Sequence, residues 1–155
     1  MAGKILAIFM GATASQPLHS VDSAQAVPGA GLLGDRYYQQ QGTYSNHPGD
    51  GRDLTLIESE SLDALAAESG IHLGIGESRR NLVTQGIRLN PLVGRTFRIG
   101  DVTVQGVRLC NPCQHLQDLT QPGVLTGLVQ RGGLRVDILT PGVIHAGDTI
   151  ELLEE

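Results

Sequence analysis

The chain has 155 residues, a hydrophobic share of 40% and an aromatic share of only 3%, with no tryptophan. It is long enough to bury a core of Val, Leu, Ile and Ala as one domain, residues 1–155, and too poor in cysteine for a secreted disulfide scaffold. A net charge of −5 argues against general affinity for nucleic acid, which rests on a basic face, and no stretch reaches the roughly 20 apolar residues of a membrane helix.

The elements follow in chain order. Lys4 followed by "ILAIFM" and "ATA" imitates a short secretory leader, but the apolar run ends at Gly11 and reads better as a first strand, Lys4 to Met10. With two cysteines close together, a reducing cytoplasm is the expected location. Asp53 to Glu58 predicts a strand, alternating through Leu54 and Leu56. "SESLDALAAESG" predicts a surface helix with Ser59 as N-cap, Glu60 and Asp63 near its positive end, an apolar face of Leu62, Leu65 and Ala66, and Gly70 as its stop.

"TFRIGDVTVQGV" predicts a hairpin, with Phe97 and Ile99 alternating before a Gly100-Asp101 turn and Val102 and Val104 after it. The apolar parity then slips at Gly106, which suggests a bulge that re-aims the chain just before the cysteines. Gly123 to Gln130 suggests a second short helix, and Leu134 to Leu139 a further strand. Gly147-Asp148, between "GVIHA" and "TIELL", suggests another hairpin turn. Glycine is abundant and helices are few, so the expected fold class is mostly β.

"RLCNPCQHLQDLT" holds both cysteines. Asn111 is a favoured N-cap, Pro112 suits the first helical position, and Gln114 can reach back as in a capping box. A helix starting here places Cys113 in its first turn, where free N–H groups and the helix dipole favour a thiolate. Cys110, one residue before the cap, lacks that help and reads as the end of a strand. Three roles stay open: zinc ligands, for which no second C-x-x-C exists; a dithiol switch of the thioredoxin kind; and a solitary nucleophilic or metal-ligating thiolate at Cys113. A buried, inert cysteine is the plain alternative.

Ten of the eleven basic side chains are Arg, the residue that grips phosphate with a flat fork. Arg36 in "GLLGDRYY", Arg79 and Arg80 before Asn81 in "ESRRNLVTQGI", and Arg131 and Arg135 around "RGGLR" all sit at loop–strand junctions beside glycines. Guanidiniums and backbone N–H groups together suit a phosphate there. Arg52, Arg88, Arg95 and Arg98 read as solvated surface arginines.

Taken together, "VPGAGLLGDRYY", "RRNLVTQGIRLNPLVGRTFRIGDV", "LCNPCQHL" and "GGLRVDILTPGVIHAGDTI" resemble, in order and spacing, the MOSC family, named for the C-terminal domain of molybdenum cofactor sulfurases. The resemblance covers nearly the whole chain. It implies a β-barrel-like fold with a few short helices and a role with the molybdenum cofactor, a pterin dithiolene ending in phosphate. The family's signature cysteine matches Cys113, which in relatives ligates molybdenum or is proposed to carry sulfur as a persulfide. By position, Arg36, Arg79, Arg80, Asn81 and Arg131 would bind the cofactor, Asp35 would orient Arg36, and His115 is a candidate proton donor near the metal. A sulfur or cofactor carrier, a molybdenum-dependent reductase of N-hydroxylated compounds, and a dithiol redox protein are the functions to separate. A sulfurase or an electron-donor protein would be the partner, with neither nucleic acid nor membrane involved. Pyridoxal phosphate binding is a further association at the level of the family.

Overall fold

The computed structural model describes residues 2–11, 18–35, 53–73, 79–110, 120, 123, 128 and 132–153. In chain order the strands are β1 (Ala2–Met10), β2 (His19–Val21), β3 (Ser23–Val27), β4 (Gly31–Leu32), β5 (Leu54–Glu58), β6 (Leu82–Gln85), β7 (Thr96–Ile99), β8 (Val102–Leu109), β9 (Leu134–Ile138), β10 (Gly142–His145) and β11 (Thr149–Leu152). Helix α1 (Ser59–Ser69) joins β5 to β6, and a 3-10 turn spans Asn90–Leu92.

Seven of these strands close on themselves in the order β11-β7-β8-β9-β5-β6-β1, with β1 pairing back to β11, so the fold is mostly β and built on a barrel. Closure leaves those strands no open edge. β2 extends the far half of β1, while β10, β3 and β4 form a small separate sheet. Within the barrel only β5 and β6 run parallel, which is why a helix has to carry the chain from the end of one to the start of the other.

Two cores follow from the alternation of side chains along the strands. Leu54 and Leu56 of β5, Leu134, Val136 and Ile138 of β9, and Val102 and Val104 of β8 enter one cluster, to which the small sheet adds Ala24, Ala26, Leu32 and Ile144. Ile57 and Val83 face the other way, where Leu62 and Leu65 of α1 pack over them with Phe9, Leu73 and Leu128. Ile5 and Ile8 share the first cluster although they are three residues apart. The pairing of β1 with β6 slips between Ile5 and Ala7, which inserts Leu6 and restores the inward parity.

The hairpin of β7 and β8 forms around Gly100, at φ 57°, and the bulge lies where the parity slip placed it, between Gly106 and Arg108. Gly106 has a second reason to be glycine. The 90–95 segment packs so closely on it that a Cβ would run into the carbonyl oxygen of Leu92, and Gly106 bonds Gly94 and Arg95 through its own C=O and N–H.

Three expectations need correction. Ser59 is the first helical residue and caps nothing; Glu58, extended at φ −74° and ψ 132°, holds the N-cap position without a side-chain cap bond. The carboxylates of Glu58 and Glu60 accept the N–H groups of Leu89 (3.1 Å) and Gly86 (2.9 Å) instead, tying the helix start to the chain after β6. Gly147 turns the chain at φ 95°, but β10 and β11 belong to different sheets, so the turn passes between sheets and makes no hairpin. β5 is buried on both faces, because α1 covers the one that simple alternation assigns to solvent. The small sheet carries no clear signal, since "SAQAV" hides its buried positions in alanines, which are poor strand markers. Gly70 ends α1 as expected, left-handed at φ 70° with its N–H on the Ala66 carbonyl. The helices expected at Asn111 and over Gly123 to Gln130 lie outside the described residues.

Candidate functional site

The arginine–asparagine segment sits immediately before β6. Arg79 is the described non-glycine residue with positive φ, at 59°, a conformation an L side chain adopts only where its surroundings hold it there. Its side chain is half-buried. Arg80 is 8% exposed and turns in the opposite direction, its Nε donating to the Gly132 carbonyl at 2.7 Å and its Nη2 to the Cys110 carbonyl at 3.4 Å. Asn81 is fully buried, and its amide fastens three strands. Its Oδ1 accepts from the N–H and hydroxyl of Thr55 (3.2 Å each), while its Nδ2 donates to the Phe9 carbonyl at 3.2 Å. The motif therefore lies against the strand end that leads to the cysteine segment, although the two are far apart in sequence.

Cys110 is fully buried and follows β8 directly, its N–H donating to the Gly133 carbonyl at 2.7 Å, so it does end a strand. Gly133 stands at φ 120°, and a Cβ there would collide with the carbonyl oxygen of Leu56. Only glycine fits that junction. Asp35, also fully buried, accepts the Gly11 N–H at 3.1 Å. Arg36, Cys113, His115 and Arg131 lie outside the described residues.

Sequence reading passed over Arg108 and made no site residue of Arg135. In the β8–β9 register Arg108 stands directly opposite Arg135, and in the β9–β5 register Arg135 stands opposite Thr55, which is itself bonded to Asn81. Residues paired in this way share a face of the sheet. The result is a polar row, Arg108, Arg135, Thr55 and Asn81, across four adjacent strands on the face away from Leu134 and Val136. Arg135 is only 6% exposed, Thr55 1%. The one available signal was the alternation of "LRVDI", which sets Arg135 and Asp137 opposite three apolar side chains; nothing local names their neighbours on other strands.

A second row holds carboxylates. The same register places Asp53, next to the first residue of β5, beside Asp137. Oδ2 of Asp53 accepts the N–H groups of Gly29 and Ile138, both at 3.0 Å, and so joins the small sheet to the barrel. Burial pushes the Asp53 carboxyl above the usual carboxylate range; the two N–H groups oppose the rise and Asp137 adds to it. Among the described residues no group of three or more His, Cys, Asp or Glu side chains is arranged to hold a metal ion.

A closed seven-stranded barrel with one parallel pair, an arginine–asparagine motif at the head of β6 and a buried strand-end cysteine beside it together define the class. The MOSC domain description matches residues 43–151, and the chain belongs to the MOSC family. Among solved structures it is similar to the YUAD protein from Bacillus subtilis, 16% identical over 98% of this chain and 96% of that one, with a TM-score of 0.83. YiiM from Geobacillus stearothermophilus is 18% identical over 98% of this chain and 75% of that one, with a TM-score of 0.74. YiiM from Escherichia coli is 20% identical over 100% and 71%, with a TM-score of 0.73. Identities this low speak for the fold alone. No curated protein sequence matches the chain.

Proposed function

We propose that this MOSC protein binds the molybdenum cofactor and works through the thiolate of Cys113, as a carrier of the cofactor or of sulfur. The observation that carries this reading is the contact of Arg80 with the Cys110 carbonyl, which brings the arginine–asparagine motif against the strand end three residues before Cys113. The donor set suits an anionic, hydrogen-bonding pterin. Arg79 and Arg108, both half-buried, would present planar forks on or beside rigid strands, and Arg36 and Arg131 would add to them. Asn81, whose amide is held by Thr55 and Phe9, would support this wall from behind. Bound there, the cofactor would supply a metal centre for which Cys113 is the protein's thiolate ligand or sulfur acceptor. His115 would stand near it as a proton donor.

Reduction of N-hydroxylated compounds is the enzymatic form of the same proposal and would need an electron-donor protein; sulfur transfer would need a sulfurase. Complete burial of Cys110 weighs against a dithiol switch of the thioredoxin kind, in which the first cysteine of the pair is the attacking thiolate and has to be reached by the partner disulfide. The test is expression of the protein in cells that make the cofactor, followed by measurement of molybdenum and pterin in the purified protein. Both should copurify with wild type and with Cys110→Ala, and molybdenum should be lost from Cys113→Ala. Wild type free of pterin and metal would sink the proposal.

A further inference from the structure

Cys113 lies in sequence between Cys110, which follows β8, and Gly132, two residues before β9, and one side chain holds both of these residues. Arg80 gives its Nε proton to the Gly132 carbonyl at 2.7 Å and an Nη2 proton to the Cys110 carbonyl at 3.4 Å. Between these ends runs the ladder bond from the Cys110 N–H to the Gly133 carbonyl, 2.7 Å long. Gly133 adjoins the guanidinium: a Cβ built on it would lie in ordinary contact with Nε at 3.5 Å, and it is the Leu56 carbonyl that it would strike. A guanidinium is suited to this place because its donors point in fixed, divergent directions within one plane, so a single buried group can satisfy carbonyls from two strands at once. An ammonium, a point charge on a flexible stem, has no such fixed pair.

We infer that Arg80 is a positioning residue: it fixes the two strand ends between which the Cys113 segment is strung, and acts on the thiol through Cys110 and Gly132 without gripping the cofactor. This rests on Cys113 being the working thiol, and it separates Arg80 from its neighbour Arg79, whose left-handed backbone and half-exposed side chain suit a ligand contact. The division of labour follows from burial. Arg80 keeps 8% of its surface and spends its fork on backbone that has to stay fixed.

Hydrogen exchange of the Cys110 amide, compared with amides of the β7–β8 hairpin as internal reference, reads the clamp without any cofactor. In Arg80→Lys the Cys110 amide should exchange at least about tenfold faster than in wild type while the hairpin is unchanged, because local opening no longer breaks the two guanidinium bonds. Arg80→Gln should do at least as much, and Arg80→Lys serves alone if Arg80→Gln does not fold. The same variants should shift the pH profile of Cys113 alkylation by iodoacetamide. A lysine variant with wild-type exchange at Cys110 and a wild-type Cys113 profile would overturn the inference and assign Arg80 a role of charge alone. If exchange accelerates but Cys113 in wild type titrates as an ordinary thiol, the clamp stands and the proposed role of Cys113 falls.

Discussion

Asn81 and Thr55 hold each other through both backbone and side chain: the Asn81 Oδ1 accepts the N–H and the hydroxyl proton of Thr55, and the Thr55 Oγ1 accepts the Asn81 N–H at 3.0 Å. Neither residue is exposed. Asn81→Ala leaves the Thr55 N–H and the Phe9 carbonyl short of a partner in the interior. The expected loss is about 2–4 kcal/mol of unfolding free energy in a urea titration. A side chain serving only as a ligand contact would change stability by about 0.5 kcal/mol or less, so the titration separates the two roles.

Glycine junctions give a graded series. At Gly133 a methyl group meets both a φ of 120° and the Leu56 carbonyl, and neither the β5 backbone nor the β9 start can retreat without breaking ladder bonds. Gly133→Ala should cost roughly 3 kcal/mol or more. Gly70 ends α1 at φ 70° with open space around it, so Gly70→Ala should cost only about 1–2 kcal/mol from backbone conformation. Equal costs would mean that packing against Leu56 contributes nothing.

These contrasts show where sequence reading reaches and where it stops. The β7–β8 hairpin and the bulge after Gly106 were legible because their signals are local: alternating apolar residues, a Gly-Asp pair and a slip of parity. Cys110 was legible as a strand end for the same reason. The row from Arg108 through Arg135 and Thr55 to Asn81 was not, because it depends on the register of β8, β9, β5 and β6, strands that meet only after long stretches of chain. Ser59 misled because a capping residue is only as good as the backbone before it. Here Glu58 ends β5, and its carboxylate is bonded to Leu89.

Asp53 gives the stability a pH dependence with a definite sign. Its carboxyl is raised above its ordinary value in the folded protein, chiefly by burial, with Asp137 opposite it adding repulsion against the N–H groups of Ile138 and Gly29. The folded state therefore binds this proton more tightly than the unfolded chain does. Its contribution is greatest below the unfolded carboxylate value, about 4, and is lost as the pH rises through the raised folded value. Asp53→Asn has no such proton, and its amide oxygen can still accept from the backbone. Wild-type stability minus that of Asp53→Asn, measured by urea unfolding at stepped pH, should fall as pH rises through this window. A difference that grows with pH would show that the Gly29 and Ile138 N–H groups outweigh burial.

Cys110 is closed to reagents in the native fold, and labelling should display it without any cofactor. Cys110 is fully buried, with its N–H on Gly133 and its carbonyl on Arg80, so an alkylating reagent reaches it only when the end of β8 opens. Opening free energies of even a few kcal/mol make that state rare, and native Cys110 should react with iodoacetamide at least about a hundredfold more slowly than in denaturant. Cys113 should be labelled in the native protein, and more readily at lower pH than an ordinary thiol if a helix starts beneath it. Mass spectrometry of quenched digests resolves the two sites. Comparable native rates at both would remove the burial argument and, if a mild oxidant also joined Cys110 to Cys113, would return the pair to dithiol chemistry. A large asymmetry leaves Cys110 as a strand-end anchor and Cys113 as the thiol available for chemistry.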